Sequence, residues 1–288
     1  MQKQNPPSDA LVSVHGGHSK EFGDAEDSSL EEIVQAYIHK GFKWIGITEH
    51  IPPVSADFLW PWDIEEGYTA QSMLERFAEY FSAARKLQKK YRDSIQILVG
   101  FETESYTGYV AHVNSLRNRF RPDYIVGSVH HVRDICIDGP QEWYAEAIEE
   151  VGGIDALFCE YFDQQYELID QLEPAVVEHF DLIRMHDTDY RRRLETPQIR
   201  EKIRRNLWKI KDLGAILDFN VRALEKGGSE PYVSESILEM ALELGVSCAP
   251  GDDSHGVSGV GLNLDKGIEI LRQSGFSTDW HVPRCYDP

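Results

Sequence analysis

Seven short apolar runs, each followed by an amphipathic stretch, leave few folds open to this chain. The runs are residues 10–14, 42–48, 95–101, 123–129, 175–180, 215–221 and 246–250. Helical periodicity fills the gaps at 28–41, 68–92, 109–120, 141–150, 154–172, 197–213, 234–244 and 263–274. In the first of these, Leu30, Ile33, Val34, Tyr37 and Ile38 share one face, Ser28 with Glu31 reads as a capping box, and Gly41 as the stop. The fifth run, "AVVEHF", is the weakest strand because Glu178 interrupts it. Short strands separated by helices pair in parallel, so the chain reads as α/β. A closed or nearly closed (β/α) barrel is the natural architecture, with a doubly wound open sheet the alternative. No linker or repeat divides residues 1–288, so a single domain is expected, its core spanning about 11–275.

The charge narrows the partners. Lys and Arg number 29 against 49 Asp and Glu, a formal net charge of −20. A nucleic-acid partner would call for a basic face, and none is encoded. An anionic substrate would also be repelled unless bound cations reverse the local field. No apolar run approaches the ~20 residues of a membrane span. The opening "MQKQNPPSDA" lacks the apolar stretch of a signal peptide. The four cysteines form no C-x-x-C pair and read as free thiols. A cytoplasmic protein is expected.

In a (β/α) barrel every strand-to-helix loop opens on one edge, and that edge builds the site. His15, His18 and Asp24 follow the first run; Glu49 and His50 the second; Glu102 and Glu104 the third. His130 ends the fourth, His179 lies in the fifth, Asn220 ends the sixth, and Asp252, Asp253 and His255 follow the seventh. Six of the eleven histidines thus stand at strand ends beside a carboxylate or another histidine. One such histidine is ordinarily a hydrogen-bonded loop residue, but six converging on one mouth point to metal. Gly16 and Gly17 would let the backbone turn both His15 and His18 inward. His39, His112, His131, His186 and His281 read as ordinary histidines.

The candidate ligands are His15, His18, Asp24, His50, Glu102, His130, His179, Asp253 and His255. A mixed imidazole and carboxylate set suits Zn, Mn or Fe rather than Mg or Ca. Nine ligands exceed one tetrahedral ion, so two or three ions are expected, with Glu102 bridging. Clustered divalent ions suit phosphoester hydrolysis: they activate a bridging water as hydroxide and neutralise the phosphoryl oxygens. They also answer the charge problem. No G-x-S-x-G, P-loop or strand-linked G-x-G-x-x-G offers a competing chemistry.

The ordered motifs "HGGHS", "TEH", "GFE", "GSVH", "EHFD" and "GDDSH" resemble the PHP (polymerase and histidinol phosphatase) superfamily over residues 11 to 275. "ITEHIPP", "VGFETE", "PDYIVGSVHHV" and "HFDLIR" are similar to its histidinol-phosphatase branch. The resemblance implies a distorted TIM-like barrel of seven parallel strands with a trinuclear mouth. It implies hydrolysis of L-histidinol phosphate in histidine biosynthesis, with Glu102, Asp253 and His255 as the catalytic group. His15, His18, Glu102 and Asp253 would hold one ion. Asp24 and His50, with His255 near, would serve a second, and Glu102, His130 and His179 a third. Two departures stand out: H-x-x-H in place of H-x-H, and Asp24 where a histidine is common.

For the substrate, Arg133, Arg184 and Arg222 follow strands four, five and six and are candidates to clamp phosphate. Phe58, Trp60 and Trp62 could lid the site and stack on an imidazole. Two readings stay open beside the histidinol-phosphatase one: a PHP-type phosphatase for another small phosphate ester, and a metal-binding protein without turnover.

Overall fold

The seven apolar runs become seven parallel strands around one interior in the computed structural model, which describes residues 10–25 and 27–286. The reading of the first nine residues lies outside the described part. The strands are β1 (Val12–Ser13), β2 (Trp44–Ile47), β3 (Gln96–Val99), β4 (Val126–Gly127), β5 (Val176–Val177), β6 (Ile216–Asn220) and β7 (Ser247–Gly251). Two sheets form, β1–β2–β3 and β4–β5–β6–β7. They join along two seams. At one, Val126 bridges Glu102, accepting from Thr103 N at 2.9 Å and donating to Phe101 O at 3.0 Å. At the other, Val14 N donates to Pro250 O at 3.1 Å and His18 N to Ser254 O at 2.9 Å. The barrel is closed, and distorted because each seam is stitched by bridges rather than by a full ladder.

The inner wall explains the short strands. Toward the N-terminal end the interior is apolar and aromatic. Tyr124 donates its hydroxyl to Val14 O at 2.7 Å, and Tyr80 donates to Ile47 O and Gly100 O at 2.8 and 2.7 Å. Gly46 has no side chain because Tyr124 fills the space: a Cβ there would lie 1.8 Å from the phenolic oxygen. Toward the C-terminal end the inward residues turn polar and the ladders stop. Glu102, Ser128, Glu178 and Asn220 are all buried there.

Eight of the helices match the expected stretches within a few residues. The first, Leu30–His39, is capped one residue later than the sequence suggested. Ser29 accepts from Glu32 N, and Glu32 accepts from Ser29 N at 2.8 Å. Ser28 stands at φ +80°, outside the extended backbone an N-cap needs. The loop after β2 is not structureless: it holds the helical turns Ala56–Phe58 and Pro61–Glu65. In the stretch "DYRRR" (189–193), Arg193 is buried against Asp187 at 2.7 Å. After β4 the chain makes a hairpin, His131–Val132 with Ile135–Cys136. Its two-residue turn, Arg133 and Asp134, has φ +49° and +67°, the twist that suits a tight hairpin. Among the described residues no helix is long and apolar enough to cross a membrane.

Candidate metal centre

All nine candidate ligands meet at the C-terminal mouth, in overlapping groups. His18, Asp24, His50 and His255 offer atoms within 4.8 Å of one another. So do His15, His18 and Glu102, and so do Glu102, His130, Glu178 and His179. Asp253 joins the second of these, its Oδ1 3.4 Å from His15 Nε2 and 3.6 Å from His18 Nε2. Glu102 belongs to two groups, and His18 likewise links two.

The hydrogen bonds around the rings select the nitrogen that faces the centre. His15 Nδ1 lies 2.8 Å from the Thr48 hydroxyl, His130 Nδ1 3.0 Å from Glu104 Oε2, and His255 Nδ1 3.0 Å from the Asp253 carbonyl. Each oxygen can accept the Nδ1–H, which leaves the Nε2 lone pair pointing inward. There His130 Nε2 faces His179 Nε2 at 3.2 Å. The Nε2 of His15, both ring nitrogens of His18, Nδ1 of His50 and both Glu178 oxygens are buried without a hydrogen-bond partner. Unpartnered buried donors and acceptors are costly, and here they converge. Cations held between them would satisfy all of these but the one His18 nitrogen that keeps its proton, so the residues fit a multi-metal centre.

Charge and backbone follow the same plan. Burial drives the His18 ring well below its ordinary value, reinforced by neighbouring His255 and His50, so it is neutral and free to ligate. Burial alone would raise the Asp24 carboxyl, but the charge and hydrogen bond of His255, with His50 beside it, hold it far below the usual range. Two ligands sit in left-handed backbone, Asp253 at φ +46° and His179 at φ +21°. Such conformations cost about 1–3 kcal/mol each and persist where the surroundings enforce them. Asn220 helps at Asp253, donating from Nδ2 to Oδ2 at 3.1 Å. The double glycine does what its position suggested. Gly16 stands at φ +147°, Gly17 at φ +81°, and a Cβ on Gly16 would come within 2.6 Å of Asp252 Oδ1.

Two carboxylates outside the candidate ligand set stand in the centre. Glu178 contacts His15 Nε2 and lies 3.3 Å from His179. Its signal was present as the residue that spoiled the fifth apolar run. Glu104 reaches His130 at 3.0 Å, His131 at 3.3 Å and His50 at 3.6 Å. Glu49 is not among the ligands; Ser19 holds it through its backbone N–H at 2.9 Å and its hydroxyl at 2.6 Å.

The centre floors a cavity of about 610 Å³. Arg222 lines it, and the other two arginines do not. Arg133 sits at the hairpin tip, half exposed, with its Nε 2.9 Å from Glu160. Arg184 is buried between the rings of Tyr190 and Tyr232 and spends its donors on Asp181, Glu230 O and Pro231 O. Neither lines the cavity that a phosphate would enter. Phe58, Trp60 and Trp62 all line the cavity, Trp60 stacked on Trp62 at 5.0 Å. His131, read as an ordinary histidine, lines it too, its ring 5.9 Å from Trp60.

A closed parallel barrel with overlapping imidazole and carboxylate groups at its C-terminal mouth defines a barrel metalloprotein of the phosphoesterase type. The chain belongs to the PHP domain family, whose model matches residues 16–222. It is 34% identical to a probable histidinol-phosphatase of Schizosaccharomyces pombe, over 93% of this chain and 88% of that one. It is 27% identical to the histidinol-phosphatase of Saccharomyces cerevisiae, over 88% and 85%. The fold matches the histidinol phosphate phosphatase of Lactococcus lactis, solved with zinc, L-histidinol and phosphate. The TM-score is 0.70 at 22% identity, covering 92% of this chain and 94% of that one.

Proposed function

We propose that this chain is a metal-dependent phosphomonoesterase that hydrolyses L-histidinol phosphate to L-histidinol and phosphate, a step of histidine biosynthesis. The observation that carries the reading is the set of ligand groups interlocked through Glu102 and His18, each lined by unpartnered buried atoms. The curated relatives named above support the choice of substrate.

Two or three divalent ions, Zn, Mn or Fe, would be held by His15, Glu102 and Asp253, by His18, Asp24, His50 and His255, and by Glu102, His130, Glu178 and His179. When bound, they supply an activated water and positive charge for the phosphoryl oxygens. The protein does the positioning. Glu102 spans two groups, its Oε1 2.9 Å from His130 Nε2 and its Oε2 3.6 Å from both His15 and His18. Asp253 is fixed by Asn220, so Oδ1 stays turned to the histidines. His255, tied through Nδ1 to the Asp253 carbonyl, keeps Nε2 toward Asp24 at 3.1 Å. Arg222, held by Nη1 onto the Asp253 carbonyl at 3.0 Å, lines the cavity and is the arginine expected to meet phosphate. Phe58, Trp60 and Trp62 form the aromatic wall for an imidazole ring. One contiguous core supports a single domain, and four free cysteines suit the reducing cytoplasm.

The test is phosphate release from L-histidinol phosphate by purified protein before and after chelation. Release that chelation abolishes and Mn, Zn or Fe restores is expected. Equal release after complete metal removal would overturn the mechanism.

A further inference from the structure

Beside the metal centre the cavity wall holds an ion pair that the reaction so far leaves unused. Lys226 Nζ and Asp138 Oδ1 stand 3.3 Å apart, and both residues line the cavity. The pair is loose, since charge-assisted bonds of this kind close to about 2.7–2.9 Å. It is also accessible, with the side chains 40% and 24% exposed. Among the described residues neither charged group has another hydrogen-bonding partner. Lys226 follows Arg222 by one helical turn, so the two present their cations on the same side.

We infer that this pair is the resting state of a subsite for a phosphate ester bearing an ammonium on the neighbouring carbon. The substrate's phosphate joins Lys226 and Arg222, and its ammonium takes the carboxylate of Asp138. A molecule with those two groups on adjacent carbons carries opposite charges a few ångströms apart, as the protein pair does. Each protein charge then exchanges one partner for another, and none is left unpaired. The inference rests on the phosphatase reading and gives it a reason to prefer amino-alkyl phosphates.

Other carboxylates in the cavity are committed elsewhere. Those of the ligand groups face histidines, Asp63 accepts the Trp60 N–H, and Glu66 is exposed at the rim. Asp138 also adjoins the aromatic wall. A Cβ on its neighbour Gly139 would lie 2.4 Å from the Trp143 ring, and Trp143 stacks on Trp60 at 6.0 Å. An ammonium on Asp138 thereby leaves the next carbon's substituent facing that wall.

The experiment compares matched substrates with the metal-loaded enzyme. L-histidinol phosphate is set against 3-(imidazol-4-yl)propyl phosphate, and 2-aminoethyl phosphate against ethyl phosphate. The wild type should favour the ammonium-bearing member of each pair in kcat/KM. Asp138→Asn should cut that preference by about tenfold to a hundredfold, the range for losing one charged hydrogen bond. Lys226→Met should weaken both members of each pair and leave the preference standing. A wild type indifferent to the ammonium, or an Asp138→Asn enzyme with the preference intact, overturns the subsite. A wild type that ignores L-histidinol phosphate yet prefers 2-aminoethyl phosphate overturns the substrate reading and keeps the subsite.

Discussion

At the residue scale, ligand types were legible and ligand directions were not. Histidines at strand ends declare themselves because imidazole is rare and the alternation places every strand end on one rim. Glu178 did not, because a carboxylate inside an apolar run reads first as a poor strand residue. Its burial without a hydrogen-bond partner is the mark of a ligand, and only coordinates supply it. Arg133 and Arg184 failed for the converse reason, since position after a strand says nothing about where a long side chain points. Replacing Glu178 by Gln keeps the shape and removes the charge. The expected result is loss of about one bound ion per chain by elemental analysis, with activity down at least ~10–100-fold. Full metal content in that variant would remove Glu178 from the ligands. Glu49 yields a second prediction. Burial raises its carboxyl to about 7 in spite of the Ser19 bonds. The folded state therefore holds this proton more tightly than the unfolded chain. Glu49 costs nothing below about pH 4.5, destabilises progressively up to about pH 7, and contributes a constant penalty above that, ~3 kcal/mol at most. In metal-free protein, Glu49→Gln should raise Tm relative to wild type at pH 8 and lose that advantage at pH 4.5. An advantage independent of pH would sink this account.

At the element scale the alternation fixed number and order, and the boundaries moved for local reasons. The strands came out shorter than the apolar runs because inward residues turn from apolar to polar along each of them, as from Val99 to Glu102. The hairpin after β4 was missed because its second strand, Ile135–Cys136, is only two residues long and half-buried. The cap moved from Ser28 to Ser29 because Ser28 takes positive φ, which a Ser–Ser pair does not disclose. Gly46 carries the same lesson into packing. In sequence it looks like a flaw in the second strand, and in the barrel it is the hole that Tyr124 fills. Gly46→Ala must displace the ring and break its bond to Val14 O. Overpacking of this sort costs about 1–3 kcal/mol, and the lost bond to a buried carbonyl about 1–3 kcal/mol more. Denaturant unfolding should show the sum as a lower midpoint. An unchanged midpoint would mean the barrel tolerates the added methyl.

At the whole-molecule scale, a formal charge of −20 and a gathered set of acidic ligands pose one electrostatic problem. Glu102, Glu104, Glu178 and Asp253 are all buried at one mouth, and several are within 4 Å of a histidine rather than of a lysine or arginine. Imidazoles answer that charge only when protonated, and a protonated ring cannot ligate. Divalent ions answer it while leaving the rings neutral. Ions held by these groups would tie together β1 to β5 and the loop after β7, crossing both seams where the backbone ladders are thinnest. Metal binding should therefore appear in the stability of the whole barrel. An ion at a hundred times its dissociation constant contributes about 2.7 kcal/mol, so two or three give roughly 5–8 kcal/mol. For a chain this size that corresponds to a fall in Tm on the order of 10 °C when the ions are removed. The stripped protein should also regain part of that loss in high salt, because screening relieves the exposed share of the repulsion. Calorimetry of loaded and chelated protein across a salt series checks both. If full removal left Tm unmoved, the buried carboxylates would have to be neutralised by protons, and the metals would be passengers rather than the clasp across the seams.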